Sequence, residues 1–104
     1  MNPIATARAT HALELGSMCI TPAAPDALAV RSIFAGVFLT RHVLGDFGDL
    51  DEHDLAVNHA AIAEGGQVLS SYVLSAHADD QAAKLWVITD ADRSVTTVLL
   101  PSDY

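Results

Sequence analysis

KLWVITDADRSVTTVLL, residues 84–100, consists of two β-branched and aromatic runs, LWVIT and VTTVLL, separated by DADRS. Val, Ile, Thr and Trp suit a pleated, half-buried surface, while Asp and Ser side chains bond nearby backbone and favour turns. The pattern predicts two antiparallel strands, over 85–89 and 95–100, joined by a loop of ordinary hairpin length. Successive strand side chains alternate, so Leu85 and Val87 face one way and Trp86 and Ile88 the other. The middle strand is therefore apolar on both sides and is expected to be covered twice, or paired with a second copy.

Upstream, QVLSSYVL over 67–74 reads as a third strand, and the polar SAHADDQAA that follows it is long for a hairpin connection. Gly65 and Gly66 stop a helix that Asp51 caps and that runs to Glu64, with Glu52 and Asp54 in the first turn where the helix dipole favours negative charge. Leu55, Ile62 and several alanines give this helix a shallow apolar face, with Asn58 and His59 as polar exceptions, so it is expected to lie on the flat of the sheet. GDFGDL, residues 45–50, predicts an ordered loop anchored by Phe47. Thr21 before Pro22 predicts a helix start, and the helix runs to about Arg31. Ser32 is then placed to cap a second helix through Phe34, Val37, Phe38 and Leu39. LELGSMCIT, residues 13–21, predicts a short strand, and residues 1–12 a loose tail. The expected fold is one α+β domain over 13–104, with two or three N-terminal helices packed on a three- to four-stranded antiparallel sheet.

A chain of 104 residues supports one core, and 51% apolar against 17% charged residues excludes disordered and low-complexity classes. The formal charge is -8, from 13 acids against five Lys and Arg, which disfavours direct binding along a phosphate backbone. Cys19 stands alone and no apolar run is of membrane length, so a soluble protein of a reducing compartment, the cytoplasm, is expected, without a membrane partner. His11, His53, His59 and His77 lack metal-ligand spacing, and neither a P-loop, a dinucleotide fingerprint nor a GxSxG elbow is present, so neither metal nor cofactor is expected.

Five of the 13 acids fall between Asp46 and Asp54. Asp46, Asp49, Asp51 and Asp54, with Asp90, Asp92 and Arg93 at the hairpin, form the candidate partner-binding surface, weighed against simple solvation and helix capping. His42, preceded by Arg41 and followed by Asp46, suggests a His and carboxylate pair for acid/base work. Arg93 with Asp90, Asp92, Ser94, Thr96 and Thr97 suggests either a turn tied by its own side chains or a small anion-binding corner, which Ser70, Ser71 and Tyr72 of the neighbouring strand are placed to face.

TPAAPDAL, TRHVLGDFGDLDEHD, GGQVLSSY and KLWVITDADRSVTTVLLPSDY together resemble a family of short plasmid-related proteins borne on plasmids and integrative elements. The likeness runs from about Leu13 to Tyr104 and is most specific over residues 84–104. Family members often carry Trp where this chain has Phe47, and a shorter hairpin loop than residues 75–83. The resemblance implies a mobile-element setting and picks out Arg41, His42, Gly45, Asp46, Asp92, Arg93 and Thr96.

Charge, size and that setting favour a non-enzymatic binder or inhibitor of a host defence complex, such as a CRISPR effector or a restriction enzyme subunit. A second reading, by fold analogy with barnase-like and toxin-like nucleases, is a compact metal-independent ribonuclease. It would use His42 as base or acid, Arg93 to stabilise the phosphorane, and Thr96 or Tyr72 as donors. The scarcity of cations argues against it. A third reading is a homodimeric structural or regulatory module, from the twice-apolar strand and Trp86.

Overall fold

The hairpin anticipated in residues 84–100 forms the centre of the sheet. In the computed structural model, which describes residues 13–74 and 84–104, β3 (Lys84–Thr89) and β4 (Val95–Leu99) pair antiparallel, with Trp86 opposite Leu99 and Thr89 opposite Thr96. The expected tail over 1–12 and long connection over 75–83 lie outside these residues. On the other side of β3, β2 (Val68–Val73) pairs antiparallel, with Val68 opposite Thr89 and Tyr72 opposite Leu85.

The fourth strand, β1 (Ser17–Ile20), joins β4 in parallel, so the order is β1-β4-β3-β2 and the sheet is mixed, not antiparallel throughout. Only a tight hairpin forces two strands to run in opposite directions. Three helices and two strands intervene between β1 and β4, so the path of that connection sets the direction. Gly16 permits the approach: its φ is +62°, and a Cβ there would run into the carbonyls of Arg93 and Ser94.

Between β1 and β2 lie α1 (Ala23–Ala29), α2 (Ala35–Val43) and α3 (Glu52–Glu64), and a 3-10 turn, Pro101–Asp103, follows β4. The expected start and stop of α3 are both present. Asp51 Oδ1 accepts from the Asp54 N–H at 2.8 Å, and Gly65 closes the helix at φ +84°. The two other expected caps are not. Pro22 occupies the position before α1, while the Thr21 hydroxyl donates to the Asp103 carboxylate at 2.7 Å and ties the end of β1 to the 3-10 turn. Ser32 sits at φ +54° in the break between helices, and Phe34 precedes α2 without a side-chain cap.

Alternation along the strands places Val68, Ser70, Tyr72, Leu85, Val87, Thr89, Thr96 and Val98 on one face. Against its apolar part pack Ala24, Ala27 and Leu28 of α1 and Phe38 of α2, forming the larger core. A smaller core joins Val68 to Phe47 of the loop and Ala61 of α3. On the opposite face Ile88 and Leu99 are buried and Trp86 half-buried, with the Tyr104 ring edge-on to Trp86 at 5.6 Å. The twice-apolar strand is thus covered by helices on one side and approached by the C-terminal turn on the other.

Helix α3 does not lie on the flat of the sheet through Ile62, which is exposed. It docks against the outer edge of β2 through Ala61 and the buried Asn58. The polar exception in the helix is the residue that seats it.

Candidate functional site

His42 lies in the last turn of α2 with no solvent exposure, between the two cores. Its ring meets Ser70 Oγ through Nδ1 at 2.5 Å and Thr89 Oγ1 through Nε2 at 2.9 Å. Thr89 meets Thr96 Oγ1 at 2.8 Å, and Thr96 donates to the Leu15 carbonyl at 2.8 Å. That last acceptor orients the whole chain. A hydroxyl has one proton, so Thr96 gives its proton to Leu15 and accepts from Thr89, and Thr89 therefore accepts from His42. His42 is the neutral tautomer with its proton on Nε2, and Nδ1 takes the Ser70 proton. Burial favours this uncharged form and lowers the His42 pKa from 6.5 to about 4.

The expected pairing of His42 with Asp46 does not occur, because His42 points into the interior from the last turn of α2 while Asp46, in the loop beyond it, is exposed. Asp46 is held by Arg41 instead, Nε to Oδ2 at 2.7 Å and Nη2 to Oδ1 at 3.3 Å, a two-pronged contact. The Arg41 guanidinium lies 4.6 Å from the Tyr72 ring centroid, and Tyr72 stacks on Phe38 at 4.9 Å. Arg41 holds the Asp46 carboxyl below the usual carboxylate range, and Asp46 in turn raises Arg41. The Tyr72 hydroxyl donates to the Asp46 carbonyl at 2.7 Å, and burial pushes this phenol up.

These contacts fasten the loop over 45–49 to the edge of β2. Ser71 donates its N–H to Phe47 and accepts from the Asp49 N–H at 2.6 Å, a single parallel bridge centred on Gly48. One step along the same edge, Asn58 donates Nδ2 to the Leu69 carbonyl at 2.5 Å and accepts the Leu69 N–H at 3.0 Å. A primary amide carries donor and acceptor side by side, so one Asn substitutes for a neighbouring strand.

Arg93 stands at the hairpin, apart from the hydrogen-bond partners of His42. Its guanidinium donates to the Gly66 carbonyl at 2.6 Å and the Ala61 carbonyl at 3.0 Å, satisfying acceptors at the end of α3, and makes longer bonds to Asp90 and Ala91. Its backbone takes φ +62°, unusual for a residue with a side chain. Asp92 Oδ1 accepts from the Ser94 N–H and hydroxyl, which keeps the Asp92 carboxyl low. The turn reading, not the anion corner, describes these contacts.

The ribonuclease arrangement therefore has no common cleft. Thr96 does join His42 in one hydrogen-bonded chain, but both are sealed from solvent, Tyr72 is turned to Asp46, and Arg93 is turned to α3. A phosphate could reach His42 only by opening the core. Lys84 pairs with Asp49 at 2.8 Å and Arg31 donates to Ala27, so Arg31, Arg41, Lys84 and Arg93 are all engaged within the chain. Among the described residues no three His, Cys, Asp or Glu side chains converge to hold a metal ion, and no helix is long and apolar enough to cross a membrane.

The candidate acidic surface divides by role. Asp46 and Asp49 are ion-paired, Asp51 caps α3 and Asp92 ties its turn. Asp54 and Asp90, with Glu52, are exposed and stand without a cation of the described chain. No family model, curated protein or solved structure matches the chain. Arg41, His42, Gly45 and Asp46 close the β2 edge and fill the seam behind it, and Asp92, Arg93 and Thr96 tie the hairpin to α3 and to the approach to β1.

Sequence reasoning missed Asn58, Ser70 and Thr89 as polar residues of the interior. Asn58 carried a signal, since an Asn in mid-helix is unfavourable unless its amide has work elsewhere. Ser70 and Thr89 carried none, because hydroxyls are common in strands and only the register brings them to His42.

Proposed function

We propose that the protein is a non-enzymatic binding module of a mobile element, acting on a host defence complex of the CRISPR effector or restriction type through its acidic surface. One observation carries the reading: the side chains with catalytic capacity are sealed or engaged in holding the fold, while Glu52, Asp54 and Asp90 face solvent with no cation among the described residues paired to them. The resemblance to element-borne proteins supplies the setting, and the charge of -8 supplies attraction to a basic partner surface.

The test uses purified defence complexes, with nucleic-acid cleavage and direct binding measured at low and moderate salt. Stoichiometric binding that inhibits cleavage and weakens with salt is expected, and the combined reversal Glu52→Lys, Asp54→Lys and Asp90→Lys should abolish it. Among the described residues these three side chains hold no hydrogen bond or ion pair, unlike Asp46, Asp49, Asp51 and Asp92. Undiminished binding by a correctly folded triple variant would remove the electrostatic mechanism. Failure to bind any defence complex, with RNA degraded by the wild type, would overturn the reading in favour of a nuclease.

A further inference from the structure

The outer edge of β1, which no other described strand pairs, has its own chemistry. The N–H groups of Ser17 and Thr21 donate to the carbonyls of Ser94 and Val98 at 2.8 and 2.9 Å, so the odd-numbered residues of this segment direct their backbone groups at β4. By alternation, Met18 and Ile20 direct theirs away from the sheet, where no described residue meets them. Their side chains, level with Thr96 and Val98 on the helix-bearing face, are 46% and 48% exposed. Cys19, level with Thr97, is exposed on the opposite face as a free thiol.

We infer that this edge is a self-association surface, on which a second copy of the chain adds its β1 antiparallel about a two-fold axis at Cys19. In that register Met18 lies opposite Ile20 of the second copy, and Ile20 opposite its Met18. Both pairs use backbone groups that point outward, so each exchanges two hydrogen bonds, and the apolar side chains of each pair cover one another. Cys19 faces Cys19 of the second copy as a non-hydrogen-bonded pair, with Cα atoms about 4.5 Å apart, inside the range that a disulfide spans.

Three features select a second copy as the occupant. SMCI carries no charge within a chain of net charge -8, so two copies meet along an uncharged strand. The register is defined: moving the axis to Ile20 would set Pro22, which lacks an N–H, opposite Met18, and moving it to Met18 would set the left-handed Gly16 opposite Ile20. Two-fold pairing uses the same edge of both copies and so closes at two, and at the other end of the sheet the outward groups of Leu69 and Ser71 are already taken by Asn58 and the 45–49 loop. This inference is independent of the proposed partner.

The experiment is light scattering over a concentration series, coupled to cross-linking with diamide, which takes up the two protons and two electrons released when two thiols become a disulfide. The mass is expected to rise from 10.9 kDa toward twice that value, and Ile20→Lys to hold it at 10.9 kDa at the same concentrations. Diamide should link the wild type through Cys19, and Ile20→Lys at least tenfold more slowly. Cys19→Ser should still associate but never cross-link, separating strand pairing from disulfide formation. A wild type that stays at 10.9 kDa at all concentrations would overturn the inference and leave the edge to the chain's own N-terminal residues or to another protein. Equal cross-linking in wild type and Ile20→Lys, or a dimer that both Ile20→Lys and Met18→Lys retain, would overturn it too.

Discussion

At the β2 edge the outward backbone groups of Leu69 and Ser71 are all paired, by the Asn58 amide and by the loop around Gly48; at the β1 edge those of Met18 and Ile20 meet no described residue. Closing the first edge took residues that look locally unfavourable: an Asn inside a helix, and glycines in a loop too irregular to be a strand. Among the described residues the second edge has its shortness, four residues, to limit misuse. A finished edge in this protein is a tertiary device assembled from two separate segments. At β1 no described segment supplies such a device.

The largest effect should come from undoing the closure at Gly48. A Cβ there would run into the Ser71 carbonyl at a φ of +75°, so Gly48→Ala should destabilise by about 4 kcal/mol, combining left-handed strain with loss of the two bridge hydrogen bonds. Chemical denaturation measures it, and hydrogen exchange should show the Ser71 amide released; an unchanged midpoint would mean the loop does not hold the edge.

The next effect concerns the seam between the edges, because the His42 chain ends on Leu15, just before β1. The folded pKa is depressed, so the unfolded chain takes up the proton first as pH falls. The stability contributed by His42 is therefore complete above pH 6.5 and is lost progressively down to about pH 4. The loss should reach about 3 kcal/mol, judged as the difference between the pH dependence of wild type and His42→Gln. Identical profiles would refute the buried neutral imidazole.

A smaller effect is expected for Asn58→Ala, which leaves the Leu69 N–H and carbonyl without their side-chain partner at about 2 kcal/mol and should deprotect Leu69 in hydrogen exchange. The smallest belongs to the open edge. Ile20→Lys sits on a half-exposed position and should change the stability of the isolated chain by less than about 0.5 kcal/mol while abolishing association. A large destabilisation there would show that β1 is already integrated, and the contrast between the edges would collapse.

The hairpin was legible in LWVIT-DADRS-VTTVLL because β-branched runs and turn residues act through short-range sterics and hydrogen bonds. The ends of α3 were legible for the same reason, in Asp51 and Gly65. The direction of β1 was not, since it depends on a connection of three helices and two strands. His42 was singled out as functional, yet its partners are Ser70, 28 residues away, and Thr89, 47 residues away, and neither is marked by any local pattern. Arg93 was noticed for its charge, whereas its contacts are backbone carbonyls of a helix distant in sequence.

The amino-acid sequence by itself determined the secondary elements, the alternating apolar faces of the strands, the single core-sized chain and the excess of negative charge. Each of these follows from interactions within a few residues or from composition alone. Tertiary structure decided which acids are paired and which are exposed, that His42 is a sealed hydrogen-bond link, and that the outward backbone groups of Leu69 and Ser71 are paired while those of Met18 and Ile20 meet no described residue. Those outcomes depend on strand register and on which side chains meet across it, and register is set by the packing of the whole chain.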